Sequence, residues 1–178
     1  MKALVQLTVI AVAAASGTAW AHGPSRQKVE ESIEVNASPE TVWGVIKDFG
    51  TFSAWCPKAV GETSQGGNEK GATRELKLAS GRSIKEELKS YDAEKMSYSY
   101  KITEVDPADL PVANYSATIG VQPGASGGAK VEWSGAFYRS FMTNNPPPEQ
   151  NDEAAIKGVT GVYQECLANL KKVAEAKK

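Results

Sequence analysis

The chain has 178 residues, with 20 Lys+Arg against 21 Asp+Glu, one His and two Cys. That length suits one domain large enough to bury a core, and a formal charge of -1 argues against a nucleic-acid binder, which usually carries a basic excess. Two Cys exclude a disulfide scaffold and a four-thiolate metal site, and one His excludes a histidine cluster.

Met1-Lys2 is a short cationic start, followed by an apolar run from Leu4 to Ala15, a break at Gly17-Thr18, and Ala19-Trp20-Ala21 with small residues where a signal peptidase reads. Residues 1–21 therefore read as a cleavable secretory signal. The run falls short of the about 20 residues that span a bilayer. Cleavage after Ala21 predicts a periplasmic product with no membrane attachment, a flexible tail over 22–27 and one domain over 28–176. His22 would then be the new N-terminus. An N-terminal His can chelate copper, but a working oxidative site needs a second imidazole, which this chain lacks. No metal and no cofactor is expected: neither a G-x-G-x-x-G nor a Walker pattern is present.

Val29, Ile33 and Val35 alternate with polar residues and predict a half-buried strand. Ser38 is a good N-cap with Pro39 at the first helical position, and Val42, Trp43, Val45 and Ile46 give a short apolar helix face. Gly50 breaks that helix, and Thr51 to Trp55 predicts a second short one ended by Pro57. Alternating segments follow from Ala59 to Arg139, separated by Gly-, Ser- and Pro-rich turns. The last segment is a long amphipathic helix, with Ile156, Val159, Tyr163, Cys166, Leu170 and Val173 on one face, Asn151 or Asp152 as its cap and lysines at its C-terminal end. Short connections predict an antiparallel sheet, and the single long helix is the available cover for its apolar face. Two short helices cannot fill the space between them, so a cavity is expected.

The sharpest pair is Arg74 and Glu86. A three-residue loop, Ala79-Ser80-Gly81, places Gly81 at a left-handed position and sets Leu76 opposite Ile84 and Arg74 opposite Glu86. Both charges then point into the cavity, either as a polar anchor for a ligand or as a structural tie between strands. Glu31 shares the face of Val29 and Ile33 and is a candidate to join them. Arg74 beside Glu86 is expected to lower its pKa and weaken it as a base. Face parity puts Tyr98, Tyr100, Tyr115, Trp133, Phe137 and Tyr163 in one interior, as the wall of a ligand pocket or as plain core. Trp43 and Trp55 read as helix-packing residues. Cys56 and Cys166 are either joined in a disulfide or two free thiols. A Cys nucleophile is not expected, since no His remains to activate it.

The order of elements resembles the SRPBCC superfamily, which includes START domains, Bet v 1 and the polyketide cyclases and dehydrases. The residues that carry this are Ser38-Pro39-Glu40 with Val42-Trp43, Asp48-Phe49-Gly50, Trp55-Cys56-Pro57, Gly71 with Arg74, Ile84-x-Glu86-x-Leu88, Tyr98-Ser99-Tyr100, Val131-Glu132-Trp133 and Leu167-x-x-Leu170-Lys171. The resemblance implies an α+β helix-grip fold: about six to seven antiparallel strands wrapped on a long C-terminal helix, with two short helices after the first strand. A narrower resemblance is to the MxaD-type periplasmic proteins of methanol-oxidation gene clusters. It rests on Ala21-His22-Gly23-Pro24, Gly67-Asn68-Glu69-Lys70-Gly71, Leu110-Pro111, Tyr115-Ser116-Ala117-Thr118, Phe137-Tyr138-Arg139 and Pro146-Pro147-Pro148. Related chains often carry His where Cys56 stands. This resemblance implies a non-catalytic accessory role between quinoprotein methanol dehydrogenase and its cytochrome c. The alternatives are a carrier or sensor of a small hydrophobic ligand, and a cyclase-like enzyme.

Overall fold

The computed structural model describes residues 23–177. The proposed signal segment and His22 lie outside the described residues. Strand β1 (Gln27–Val35) is followed by helix α1 (Pro39–Ile46) and a 3-10 turn (Phe49–Ala54). Then come β2 (Gly61–Gln65), β3 (Thr73–Lys77), β4 (Ser83–Asp92), β5 (Ser97–Glu104), β6 (Val112–Pro123), β7 (Ala129–Arg139) and helix α2 (Asp152–Glu175). All seven strands form one antiparallel sheet in the order β1-β7-β6-β5-β4-β3-β2. This is the expected helix-grip architecture, with α2 lying over β1 and β7.

Local chemistry fixes the helix starts. The Ser38 side chain accepts from the Thr41 amide at 3.2 Å, with Pro39 at the first position, so α1 begins there. Asn151, rather than Asp152, caps α2 by accepting from the Ala154 amide at 2.8 Å, and Asp152 and Glu153 fill the first turn. Val159, Tyr163, Cys166, Leu167 and Leu170 are buried, whereas Ile156, expected on the same face, is exposed. Ile156 lies one turn too early: there the buried position on the sheet side is Ala155. Gln27, read from the sequence as the last tail residue, is the first residue of β1 and pairs with Phe137.

The β3–β4 turn decides what faces inward. Gly81 has φ of +85°, the left-handed conformation that favours glycine. The register it sets is Leu76 opposite Ile84 and Arg74 opposite Glu86, as the apolar pattern required. One helix cannot cover this sheet. Six inter-strand spacings of about 4.8 Å make it about 29 Å wide, whereas a helix with its side chains is about 10–12 Å across. Beyond the reach of α2, β2 and β3 pack under the 3-10 turn instead.

Candidate functional site

The inner sheet face carries Arg74 on β3, Glu86 and Leu88 on β4, Tyr98 and Tyr100 on β5, Tyr115 on β6, and Trp133 and Phe137 on β7. All are buried. Arg74 Nε donates to Glu86 Oε2 at 2.5 Å, and Nη1 donates to the Phe49 carbonyl at 2.8 Å. The guanidinium lies 4.2 Å from the Phe49 ring centroid, 4.6 Å from that of Phe52 and 5.1 Å from that of Tyr100. It is thus held by one carboxylate, one carbonyl and three ring faces. Its Nη2 is buried without a hydrogen-bond partner among the described residues.

Burial and pairing pull the carboxyl of Glu86 in opposite directions. Burial wins and raises it above its ordinary value, with Arg74 working against the rise. This corrects the expectation that Arg74 would hold Glu86 low. The charged form loses more in leaving water than the attraction and the hydrogen bond of Arg74 together return. Burial also opposes the Arg74 cation, but there the pairing with Glu86 prevails, so it stays protonated. Glu31 does not join the pair. It sits on β1, at the opposite end of the sheet, and accepts from Gln164 at 3.2 Å.

The phenols form a chain. Trp133 Nε1 donates to the Tyr100 hydroxyl at 3.1 Å. The Tyr100 and Tyr115 hydroxyls are 3.5 Å apart, and those of Tyr115 and Tyr163 are 2.5 Å apart. The Tyr163 ring stacks on Trp133 with centroids 4.1 Å apart. Its hydroxyl occupies the space that a side chain at Gly135 would fill. Burial raises all three phenols above their ordinary values, so they remain protonated donors.

Beside this chain is an open pocket of about 240 Å³. Its inner end is formed by Glu86, Tyr100, Tyr115 and Trp133, and its walls by Phe52, Ala59, Leu76, Ile84, Ile102, Leu110 and Val162. Lys58, Ser80 and Asp109 stand at the rim. Of the eight residues expected to line a cavity, four do. Arg74, Tyr98, Phe137 and Tyr163 lie outside the lining, in the packing behind it: Tyr98 packs against Trp43 and Phe49, and Phe137 stacks on Tyr115. Face parity selects the inner face but not which inner residues meet empty space. The aliphatic walls show in the sequence only as alternation, and Ala59 and Val162 carry no signal that sets them apart.

The rim is pinned by ion pairs. Arg82 Nε donates to Asp109 Oδ2 at 2.5 Å and its Nη2 to Asp109 Oδ1 at 2.9 Å, strapping the β3–β4 turn to the loop before β6. The hydrogen bond from Arg82 holds the Asp109 carboxyl below its ordinary value. Lys58 pairs with Glu165 of α2 at 2.5 Å. Next to it Cys56 and Cys166 form a disulfide, with their Cα atoms 4.4 Å apart. Trp55 packs on Phe52 and Trp133, and Trp43 on Tyr91 and Tyr98. Among the described residues, no group of three or more His, Cys, Asp or Glu side chains comes together to hold a metal. No described helix is long and apolar enough to cross a membrane.

A one-helix grip around an aromatic pocket with a buried ion pair places the chain in a known class. It belongs to the polyketide cyclase / dehydrase and lipid transport family, whose model matches residues 26–175. The solved structure of the protein XoxI from Bacillus cereus is similar, at 30% identity and a TM-score of 0.70, over 82% of this chain and 94% of that one. A protein from Nitrosospira multiformis is 26% identical with a TM-score of 0.66, over 85% of this chain and 100% of that one. Norcoclaurine synthase from Thalictrum flavum, in complex with dopamine and hydroxybenzaldehyde, has a TM-score of 0.66 over 98% of this chain and 99% of that one. Its 18% identity makes it a likeness of fold. No curated protein matches the chain.

Proposed function

We propose that the protein is an exported, non-catalytic binder of a small, mostly apolar molecule, held in the pocket between β3–β6, the 3-10 turn and α2. The observation that carries this reading is the pocket itself: an open, apolar space ending at a few convergent polar groups. Its volume suits a molecule of one or two rings, since an apolar cavity of about 150 Å³ already takes up benzene. Non-catalysis is supported by the phenols, which burial holds protonated and so keeps from acting as bases. Export is supported by the leader pattern and by the Cys56–Cys166 disulfide, which suits an oxidising compartment.

The test is native mass spectrometry of the purified chain with a panel of small aromatic molecules. The expected result is one bound molecule per chain, lost in an Ala59→Phe variant that fills the pocket. Equal uptake by the folded variant, or no uptake by the native chain, overturns the reading. Within this frame, the resemblance to MxaD-type proteins supports a role in methanol oxidation, assisting electron transfer from quinoprotein methanol dehydrogenase to its cytochrome c. An electron-transfer assay with and without the protein tests that role, and an unchanged rate at all ratios removes it.

A further inference from the structure

The polar end of the pocket has one more proton than it can use. Tyr100, Tyr115 and Tyr163 bring three hydroxyl protons to a chain with two oxygen–oxygen links. Trp133 adds a fourth donor, which is spent on the Tyr100 oxygen. The 2.5 Å link between Tyr115 and Tyr163 holds one proton firmly. The 3.5 Å link between Tyr100 and Tyr115 lies at the outer limit of a hydrogen bond. Tyr163 is wedged against Gly135, outside the pocket, so a spare proton there would be a buried donor without a partner. Tyr100 and Tyr115 both line the open space, but Tyr115 stands between two oxygen neighbours that take up its proton, which leaves the spare one on Tyr100.

We infer that the Tyr100 hydroxyl is the specificity-determining donor of this pocket, and that its ligand is a neutral, mostly apolar molecule with a carbonyl oxygen. The inference rests on the binding reading above and adds the chemistry of the ligand. Tyr100 is suited to the task because the Trp133 N–H already occupies its oxygen, which turns its own proton outward. The Glu86 carboxyl at the same end repels an anionic ligand head, and the Arg74 cation paired behind it cancels its attraction for a cationic one. Neutrality is therefore selected by a charge-balanced pair, with Glu86 on the wall and Arg74 directly behind it.

Three probes separate the parts: acetophenone, its hydrocarbon isostere α-methylstyrene, and benzoate. In the unaltered chain, acetophenone is expected to bind with its carbonyl stretch lowered from its value in hydrocarbon solvent. Benzoate is expected to bind at least about tenfold more weakly. Tyr100→Phe should weaken acetophenone about fivefold, the worth of one neutral hydrogen bond, and leave α-methylstyrene within about twofold. A merely structural role for Tyr100 would move both ligands together, and that outcome overturns the inference. So does an unshifted carbonyl stretch, which decides the matter in the unaltered chain even if the variant does not fold. Benzoate binding as tightly as acetophenone removes the selection for neutrality. If α-methylstyrene binds and acetophenone shows no hydrogen bond, the pocket reading survives and the donor falls. If none of the probes binds, both fall.

Discussion

Where α2 crosses β1 and β7, the interior is closed by apolar side chains, among them Val29, Val131, Val159, Leu167 and Leu170, none more than 6% exposed. At the other end, under the 3-10 turn, β3 and β4 enclose a guanidinium, a carboxylate and an open pocket. The same alternation of inward residues builds both ends. The difference is the cover: a long helix with a continuous apolar stripe on one side, and a short turn that brings Phe49, Phe52 and Trp55 on the other. A short cover leaves space, and the sheet residues beneath it become free to hold polar groups.

The comparison can be broken most severely at the link between the two covers. Replacing both Cys56 and Cys166 by Ser is expected to cost about 4–5 kcal/mol on the loop-entropy model, measured by urea unfolding. A loss under about 1 kcal/mol would show that aromatic packing alone holds the turn on α2. Next in size is Arg74→Met, which leaves Glu86 buried and unpaired and should cost about 3 kcal/mol, with much of that regained in the double variant with Glu86→Gln. Gly135→Ala drives a methyl against the Tyr163 hydroxyl and should cost about 1–3 kcal/mol. It sharpens the comparison, because it acts from the filled end, through Tyr163, on the tyrosine chain that ends the pocket.

The pH response is smaller and has a definite sign. The folded state raises the Glu86 pKa above its ordinary value of about 4.5, so between that value and the higher folded one it binds more protons than the unfolded chain. The Glu86 contribution to stability therefore falls as pH rises from about 4.5 through the folded pKa. Glu86→Gln should gain on the native chain over that interval, and a difference that is flat with pH would contradict the raised pKa. The least effect belongs to Arg82→Ala. This exposed strap should leave stability nearly unchanged in urea unfolding, while ligand release, followed by stopped flow, becomes faster.

The sheet, the helices and the β3–β4 register were legible in the sequence because each rests on local rules: alternation, caps, and a glycine where a turn needs one. The opposition of Arg74 and Glu86 followed from loop length and apolar parity alone. The fate of Glu31 was not legible, because parity says which face a residue takes and nothing about strand order. Distance across the sheet separates it from the pair. The direction of the Glu86 shift was missed for a related reason: pairing can be read from register, but the extent of burial depends on the 3-10 turn, whose Phe49 and Phe52 close over the pair. The proton count in the tyrosine chain needed distances, since face parity alone does not order three hydroxyls.

The disulfide has a consequence for how the protein is made. Cys56 and Cys166 are 110 residues apart, and β2 to β7 lie between them. Synthesis from the N-terminus delivers all seven strands before the second thiol exists, so covalent closure follows the delivery of the whole sheet. With two Cys in the chain, there is no wrong partner within it to choose. Maturation therefore needs an oxidant and no enzyme to reshuffle pairs, and the pocket wall is locked only once every strand that forms it has been delivered.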